Sequence, residues 1–381
     1  MSSEAYAMTV EIKEVKNYGD LRTFIRFPLK LYKNNPYYIP SLNSDEFKTL
    51  NSAKNAAFAH SQARLWLALK DGKVCGRITA IYNERHRSHW NQDYMRFGWI
   101  DFIEDFDVAA ALLAEVEEWA REKGCSAVHG PLGFSDMDRA GMLVEGFDEL
   151  PTMITTYNYA YYPQFLEKLG YAKDTDWVEY ELTVPEVLDP RISKLAGIIL
   201  KKNNLHMLEA KTRRDILPYA RKIFGLMNEA YKNLYGFVPL SDQQMDDYTK
   251  QYFGFIKPDF VPVVLNDQDE VVAFGITMPS LSKAFQKTKG RLFPFGFLHL
   301  LRALKTNNRA DLYLVAVKPE LQGLGLNALM ISKVFETFTK AGITKAESNP
   351  ELETNTQVQA QWKHFEHRQH KRRRVYIKHL K

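Results

Sequence analysis

The chain is 381 residues long, with 45% apolar residues, 25% charged residues and a formal net charge of +5. That length exceeds what one core usually fills, so two domains are expected, and the composition is that of a folded chain rather than a disordered one. With 51 basic residues against 46 acidic ones there is no general electrostatic reason for a nucleic-acid partner, and none is expected.

Cys75 and Cys125 stand far apart in apolar settings, KVCGRI and KGCSAV, and read as small core residues rather than a disulfide or metal framework. No apolar run approaches about 18 residues, and the N-terminus lacks the apolar stretch of a signal peptide. A cytoplasmic chain with no membrane partner is therefore expected.

In chain order, Met8 to Val15 alternates like a strand. Phe24 to Leu42 carries Pro28, Pro36 and Pro40, which should keep much of it out of a regular helix. ARLWLALKDGKVCGRITAIYN holds two apolar runs joined by Asp71-Gly72, a hairpin signal. RFGWIDFIED follows as a strand, and then Val108, Leu112, Val116 and Trp119 fall at helical spacing up to Lys123, with Asp107 as the expected cap and Gly124 as the stop. A Gly- and Asp-rich stretch, a helix at Tyr162 to Leu169 and a strand at Trp177 to Val184 complete this half. Pro185 and Pro190 mark the expected boundary between domains 1–186 and 187–381.

The second half repeats the order. A strand near His206 is followed by helices between Asp215 and Phe255, the hairpin PVVLNDQDEVVAFGITM, the strand DLYLVAV and a helix from Leu324 to Lys340. A short strand from Lys345 to Asn349, a helix beginning near Asn355 and a final strand close the chain. This order predicts an α/β protein built as a tandem repeat.

Chemistry concentrates after the strand ending at Val317. Gln322, Gly323, Leu324, Gly325, Leu326, Asn327 and Ala328 lead into an amphipathic helix. Glycines allow the backbone a sharp turn and a close approach, and free amides at a helix start suit a pyrophosphate. The string VAVKPELQGLGLNALM resembles the acyl-CoA phosphate loop of the GNAT superfamily, Gln/Arg-x-x-Gly-x-Gly/Ala, with Asn327 in place of the last small residue. The first half resembles a GNAT unit in its hairpin and in LEKLGY, and GPLGFSDMDRAGMLVEGFDELP resembles a stretch of bacterial proteins with tandem GNAT-like domains. It lacks the phosphate loop, because Glu104 and Asp105 stand where amides would be needed.

The resemblance implies two tandem GNAT-like domains, each a mixed central sheet flanked by helices, the first degenerate and the second binding acetyl-CoA or another acyl-CoA. It implies transfer of the acyl group to a small-molecule or peptide amine. Val315, Ala316 and Val317 would pair with the pantetheine arm and stabilise the oxyanion, and Asn355 opens the helix beside the thiol. Glu347 is the candidate base, or else a solvated acid at a strand end. Tyr313 could relay a proton, or else fill the core. No Tyr occupies the last helix, where His364 could serve as the acid. Tyr231, Tyr235 and Phe237 are acceptor-pocket candidates, or else core. A non-catalytic CoA-binding module is the rival reading, and transfer from aminoacyl-tRNA is a third. His364, His367 and His370 recur every three residues, but on a helix they would drift around the surface, so no metal is expected. Lys371 to Arg374 reads as a basic patch or a solvated turn before the last strand.

Overall fold

In a computed structural model, residues 9–187 and 190–381 are described; the start of the first expected strand, Met8, lies outside them. The chain forms two compact units. One takes residues through Asp176 together with Thr288–Leu292 and Arg372–Lys381; the other takes Trp177–Lys287 and Phe293–Lys371.

The first unit contains β1 (Glu11–Glu14), α1 (Tyr18–Leu31), α2 (Asn43–Thr49), β2 (Ser61–Lys70), β3 (Lys73–Asn83), α3 (Glu84–Trp90), β4 (Tyr94–Phe102), α4 (Phe106–Glu122), β5 (Ala127–Gly130), β6 (Met142–Glu145) and α5 (Tyr161–Lys168). β7 (Ala172–Thr183) begins there, and its residues from Trp177 on belong to the second unit. The second unit continues with α6 (Pro190–Lys202), β8 (Leu205–Met207), α7 (Arg213–Ile216), α8 (Ala220–Tyr231), α9 (Asp242–Tyr252), β9 (Val263–Asn266), β10 (Val271–Pro279), α10 (Ser282–Thr288, its last residue counted with the first unit), α11 (Gly296–Lys305), β11 (Arg309–Val317), α12 (Leu326–Lys340), β12 (Lys345–Glu347), β13 (Glu351–Leu352) and α13 (Thr356–Gln359). β14 (His367–His379) ends the chain, with its residues from Arg372 on in the first unit.

Both units use one plan. An antiparallel hairpin, β2–β3 or β9–β10, pairs with a third strand, β4 or β11. That strand feeds a helix, α4 or α12, and the chain returns to lay a strand parallel to it, β5 or β12. An antiparallel strand then completes each sheet: Tyr376–His379 of β14 beside β5, and Glu181–Thr183 of β7 beside β12. Asp71 and Gly72 make the first hairpin turn with φ of 51° and 68°, the left-handed pair that a two-residue turn of this hand requires.

Helical periodicity is realised as read: Val108, Leu112, Val116 and Trp119 are all buried on α4, and Leu326, Leu329, Met330, Val334, Phe335 and Phe338 are buried on α12. Cys75 and Cys125 are buried free thiols. Two expectations need correction. The cap of α4 is Asp105 rather than Asp107, its side chain accepting from the amides of Asp107 and Val108. The helix after Asn355 is short: α13 and a 3-10 turn end at His364, so His367 and His370 lie on a strand.

Much of Phe24 to Leu42 stays out of a regular helix, as read, although Pro28 itself sits inside α1. A proline there cannot donate to the carbonyl four residues earlier, Phe24, and that orphan is the usual penalty. Here the guanidinium of Arg77 donates to the Phe24 carbonyl at 3.0 Å, so the helix continues. The same Arg77 binds Asp101 at 2.7 Å, and Asp101 accepts from the Tyr32 hydroxyl at 2.9 Å. All three side chains are buried. Replacing Arg77 by Ala would orphan a buried carboxylate and a buried carbonyl together. We expect Arg77→Ala to cost about 3 to 5 kcal/mol in urea unfolding, the range for breaking a buried ion pair from one side; a loss below about 1 kcal/mol would mean that the network is not holding α1.

Candidate functional site

The second unit carries a strand with one open edge. β11 pairs with β10 along almost its whole length, but with β12 only over Arg309–Asp311. Backbone groups beyond Asp311 on that side need other partners, because a buried or half-buried amide left alone is costly. Side chains supply them. Asn349 Nδ2 donates to the Tyr313 carbonyl at 2.8 Å, the Tyr231 hydroxyl donates to the Val315 carbonyl at 2.8 Å and accepts from the Val315 amide at 3.3 Å, and Gln322 Nε2 donates to the Val317 carbonyl at 3.2 Å. The register also shifts here: Ile276 faces Leu314 while Thr277 faces Leu312, so Tyr313 is the extra residue of a bulge. Bulges re-aim side chains and end pairing beside sites.

The loop after this strand turns on two left-handed glycines, Gly323 at φ 80° and Gly325 at φ 85°. Gly325 is the N-cap of α12, and no side chain caps the helix. In the first unit the corresponding helix α4 has its first amides taken by Asp105, which in turn pairs with Lys70. The two units differ at this helix start: an acidic side chain takes the first amides of α4, and no side chain caps α12. Val315 and Leu324 are 37% and 43% exposed along this path, whereas Ala316, Val317 and Leu326 are buried; Asn327 is half-buried and Ala328 exposed.

Behind the open edge lies a buried ionic cluster. Lys371 is fully buried, with its ammonium 3.1 Å from Glu179 and bonded to Glu347. His370 Nε2 lies 3.6 Å from Glu347. The Tyr313 hydroxyl donates to Asp311 at 2.8 Å. Glu347 is thus enclosed rather than a solvated acid at a strand end, and Lys371 stands in a buried strand rather than a solvated turn. The rest of the expected patch is also engaged: Arg373 is buried and donates to the Thr156 carbonyl, while Arg372 and Arg374 both bind Asp176. Glu179, Glu347 and His370 each place a potential ligand atom within 4.8 Å of the others, but the Lys371 ammonium already supplies the positive charge among them.

Burial pushes the Glu347 carboxyl up to about 8, against the attraction of Lys371 and with added repulsion from Glu179. Burial also raises Asp311 to about 6 and Glu351 to about 7. Glu351 is half-buried on β13 and accepts from Trp362 Nε1 at 2.8 Å.

Of the remaining candidates, His364 is exposed at the end of the 3-10 turn, and Asn355 caps α13 by accepting from the Val358 amide. Tyr235 is half-buried with its ring edge-on to Trp177, and Phe237 is fully buried against Tyr231. Tyr231, at the end of α8, is brought to Val315 of β11, the strand that also carries Tyr313. Glu179, Asp311, Glu351 and Lys371 were not singled out as site residues, since nothing in an isolated strand tells which acid will face another strand's lysine.

The raised carboxyls fix the sign of a pH dependence. Asp311 and Glu347 hold protons more tightly folded than unfolded, so the stability they contribute is complete below about pH 4 and is lost as pH rises through about 6 and about 8. Urea unfolding from pH 5 to 8 is expected to show the parent losing stability relative to Asp311→Asn, by at most about 1.4 kcal/mol per pH unit for that one group; parallel curves would refute the shift.

No family model matches the sequence. The chain is 30% identical over 376 residues to protein YghO of Escherichia coli (strain K12), covering 97% of this chain and 95% of that protein. It is 26% identical over 324 residues to the bacterial ceramide synthase of Caulobacter vibrioides, covering 81% of this chain and 80% of that protein. Among solved structures, a tandem GNAT protein from the clavulanic acid biosynthesis pathway superposes with a TM-score of 0.56 over 97% of this chain and 98% of that one, at 11% identity. Such identity speaks for the fold alone. No helix among the described residues is long and apolar enough to cross a membrane. With a relative 30% identical over nearly the full length of both chains, the chain belongs to the family of protein YghO, and its fold is that of two tandem GNAT-like domains.

Proposed function

We propose that the second unit transfers an acyl group from an acyl-CoA, acetyl-CoA or a longer homologue, to an amine. The observation that carries this reading is the pairing of an open strand edge at Tyr313–Val317 with an uncapped helix start at Gly325 immediately after it. The edge offers backbone groups to a pantetheine arm, and the loop from Gln322 to Ala328 offers amides and the positive end of a helix dipole to a pyrophosphate.

In the transfer, the amine lone pair forms a bond to the thioester carbonyl carbon and the carbonyl oxygen takes up negative charge. Collapse of that intermediate breaks the carbon–sulfur bond and releases the thiolate. The Val315 amide is the proposed oxyanion donor. Tyr313, which burial and Asp311 keep protonated, is the proposed acid for the thiolate. For the base we favour Glu351 over Glu347: both carboxyls are raised into the range where they take a proton near neutral pH, but Glu347 is closed in by Lys371, whereas Glu351 is half-buried. Tyr231 and Tyr235 line the proposed acceptor side, and Phe237 backs Tyr231. The name ceramide synthase, borne by one relative, denotes formation of an amide on a long-chain amine, and it supports N-acylation with lipid-like amines in the acceptor screen.

Calorimetry with acetyl-CoA and a long-chain acyl-CoA tests the binding step, and thiol release with a panel of amines tests the transfer. Leu324 is 43% exposed on the loop and is not left-handed, so Leu324→Glu should fold while setting a carboxylate beside the α12 amides. Its affinity for acyl-CoA is expected to fall by about a hundredfold or more, since an anion at that place opposes the pyrophosphate; unchanged affinity would place the ligand elsewhere. The Tyr231 hydroxyl now holds the groups that the pantetheine arm would take. Tyr231→Phe is therefore expected to bind acyl-CoA about fivefold more tightly, the value of one net hydrogen bond; weaker binding would show that the hydroxyl contacts the ligand instead.

A further inference from the structure

The second unit also exposes apolar side chains that neither the open edge nor the loop uses. Among the described residues, five of the thirteen exposed large apolar side chains fall between Phe293 and Leu301: Phe293 at 77%, Phe295 at 71%, Leu301 at 57%, Leu298 at 50% and Phe297 at 36%. They sit on α11 and the Phe-Pro-Phe run before it. Leu300 is buried, so one face of the helix is seated on its own unit while a second apolar stripe is left facing outward. A scattered exposed leucine needs no explanation, but a contiguous group marks a surface that meets something.

The sequence that flanks this stripe is one-sided in charge. From Val271 to Ala310 the sequence has no Asp or Glu and seven Lys or Arg. The whole chain carries +5, so the remainder carries 5 − 7 = −2, and the basic excess is local. Arg302 and Lys305 stand exposed in the last turn of α11, and Lys283 and Lys287 stand exposed on α10.

We propose that α11 with Phe293 and Phe295 docks on an anionic lipid surface, lying in the plane of the interface. Phenylalanine and leucine side chains beside lysine and arginine are the composition that enters the boundary between headgroups and acyl chains. The expectation of no membrane partner rested on the lack of a spanning segment, and in-plane docking requires none. A nucleic acid would match the charge but not the apolar stripe, which offers it no hydrogen bonds. The inference is independent of acyl transfer, because it needs neither the loop nor the open edge.

Flotation with vesicles of phosphatidylcholine alone, and of phosphatidylcholine with phosphatidylglycerol, tests it on the full chain. The parent is expected to float with the anionic vesicles and to be released as salt rises. The pair Phe293→Ser and Phe295→Ser is expected to lose at least about tenfold in partitioning, and Arg302→Glu with Lys305→Glu a similar amount for the anionic vesicles only. Both substitution pairs lie on exposed side chains, and unchanged thermal melts and acyl-CoA calorimetry would show that fold and loop are intact. Absence of parent binding to anionic vesicles, or binding that both Phe substitutions leave unchanged, overturns the proposal. So does sedimentation showing a parent dimer that the Phe substitutions split into monomers, which would give the stripe to a second copy of the chain. A parent that floats but binds no acyl-CoA would refute the transferase reading and leave the docking surface standing.

Discussion

The second unit is organised by the need of β11 to satisfy its backbone on a side where its neighbouring strand departs. β12 accompanies it for three residues, Arg309–Asp311, and then Asn349, Tyr231 and Gln322 take over from strand pairing. A backbone ladder partner cannot be exchanged without unfolding a sheet, whereas a tyrosine hydroxyl can swing aside for a rotamer change. The partners of Tyr313, Val315 and Val317 on that side are therefore side chains rather than a strand. The bulge at Tyr313 belongs to the same arrangement, since it sets the point where regular pairing stops.

Duplication with divergence is visible in chemical differences. Both units lay a parallel strand beside β4 or β11 for only three residues, but in the first unit the Leu132 amide goes on to donate to the Phe97 carbonyl. The helix start also separates them. Asp105 occupies the α4 amides and is itself held by Lys70, while Gly325 leaves the α12 amides without a side-chain acceptor. One carboxylate is enough to close a helix terminus to a pyrophosphate, because it is both the competing acceptor and the repelling charge.

The C-terminal strand does unusual work for a basic segment. Lys371 is buried between two carboxylates, and Arg373 is buried on a backbone carbonyl. Buried charges of this kind add little net stability when paired but cost several kilocalories when one partner is removed, about 3 to 5 kcal/mol. Such a cluster fixes which strand neighbours which, and burial within it raises the Glu347 carboxyl.

The sequence by itself determined the features that depend on neighbours along the chain. The Asp71-Gly72 turn, the buried stripes of α4 and α12, and the glycines of the loop were legible because turn geometry and helical spacing are local. The charge bias from Val271 to Ala310 was legible too, as a count. Tertiary structure alone decided the rest. Pro28 stays in a helix because Arg77, far along the chain, feeds its orphaned carbonyl. Lys371 to Arg374 are engaged rather than solvated because acids on other strands and a backbone carbonyl meet them. Tyr313 becomes the bulge, and Tyr231 the cap of Val315, through pairings that no local pattern encodes. Local rules govern where φ and ψ are set, whereas the partner of a buried charge or an open strand edge is chosen only when distant segments compete for the same backbone groups.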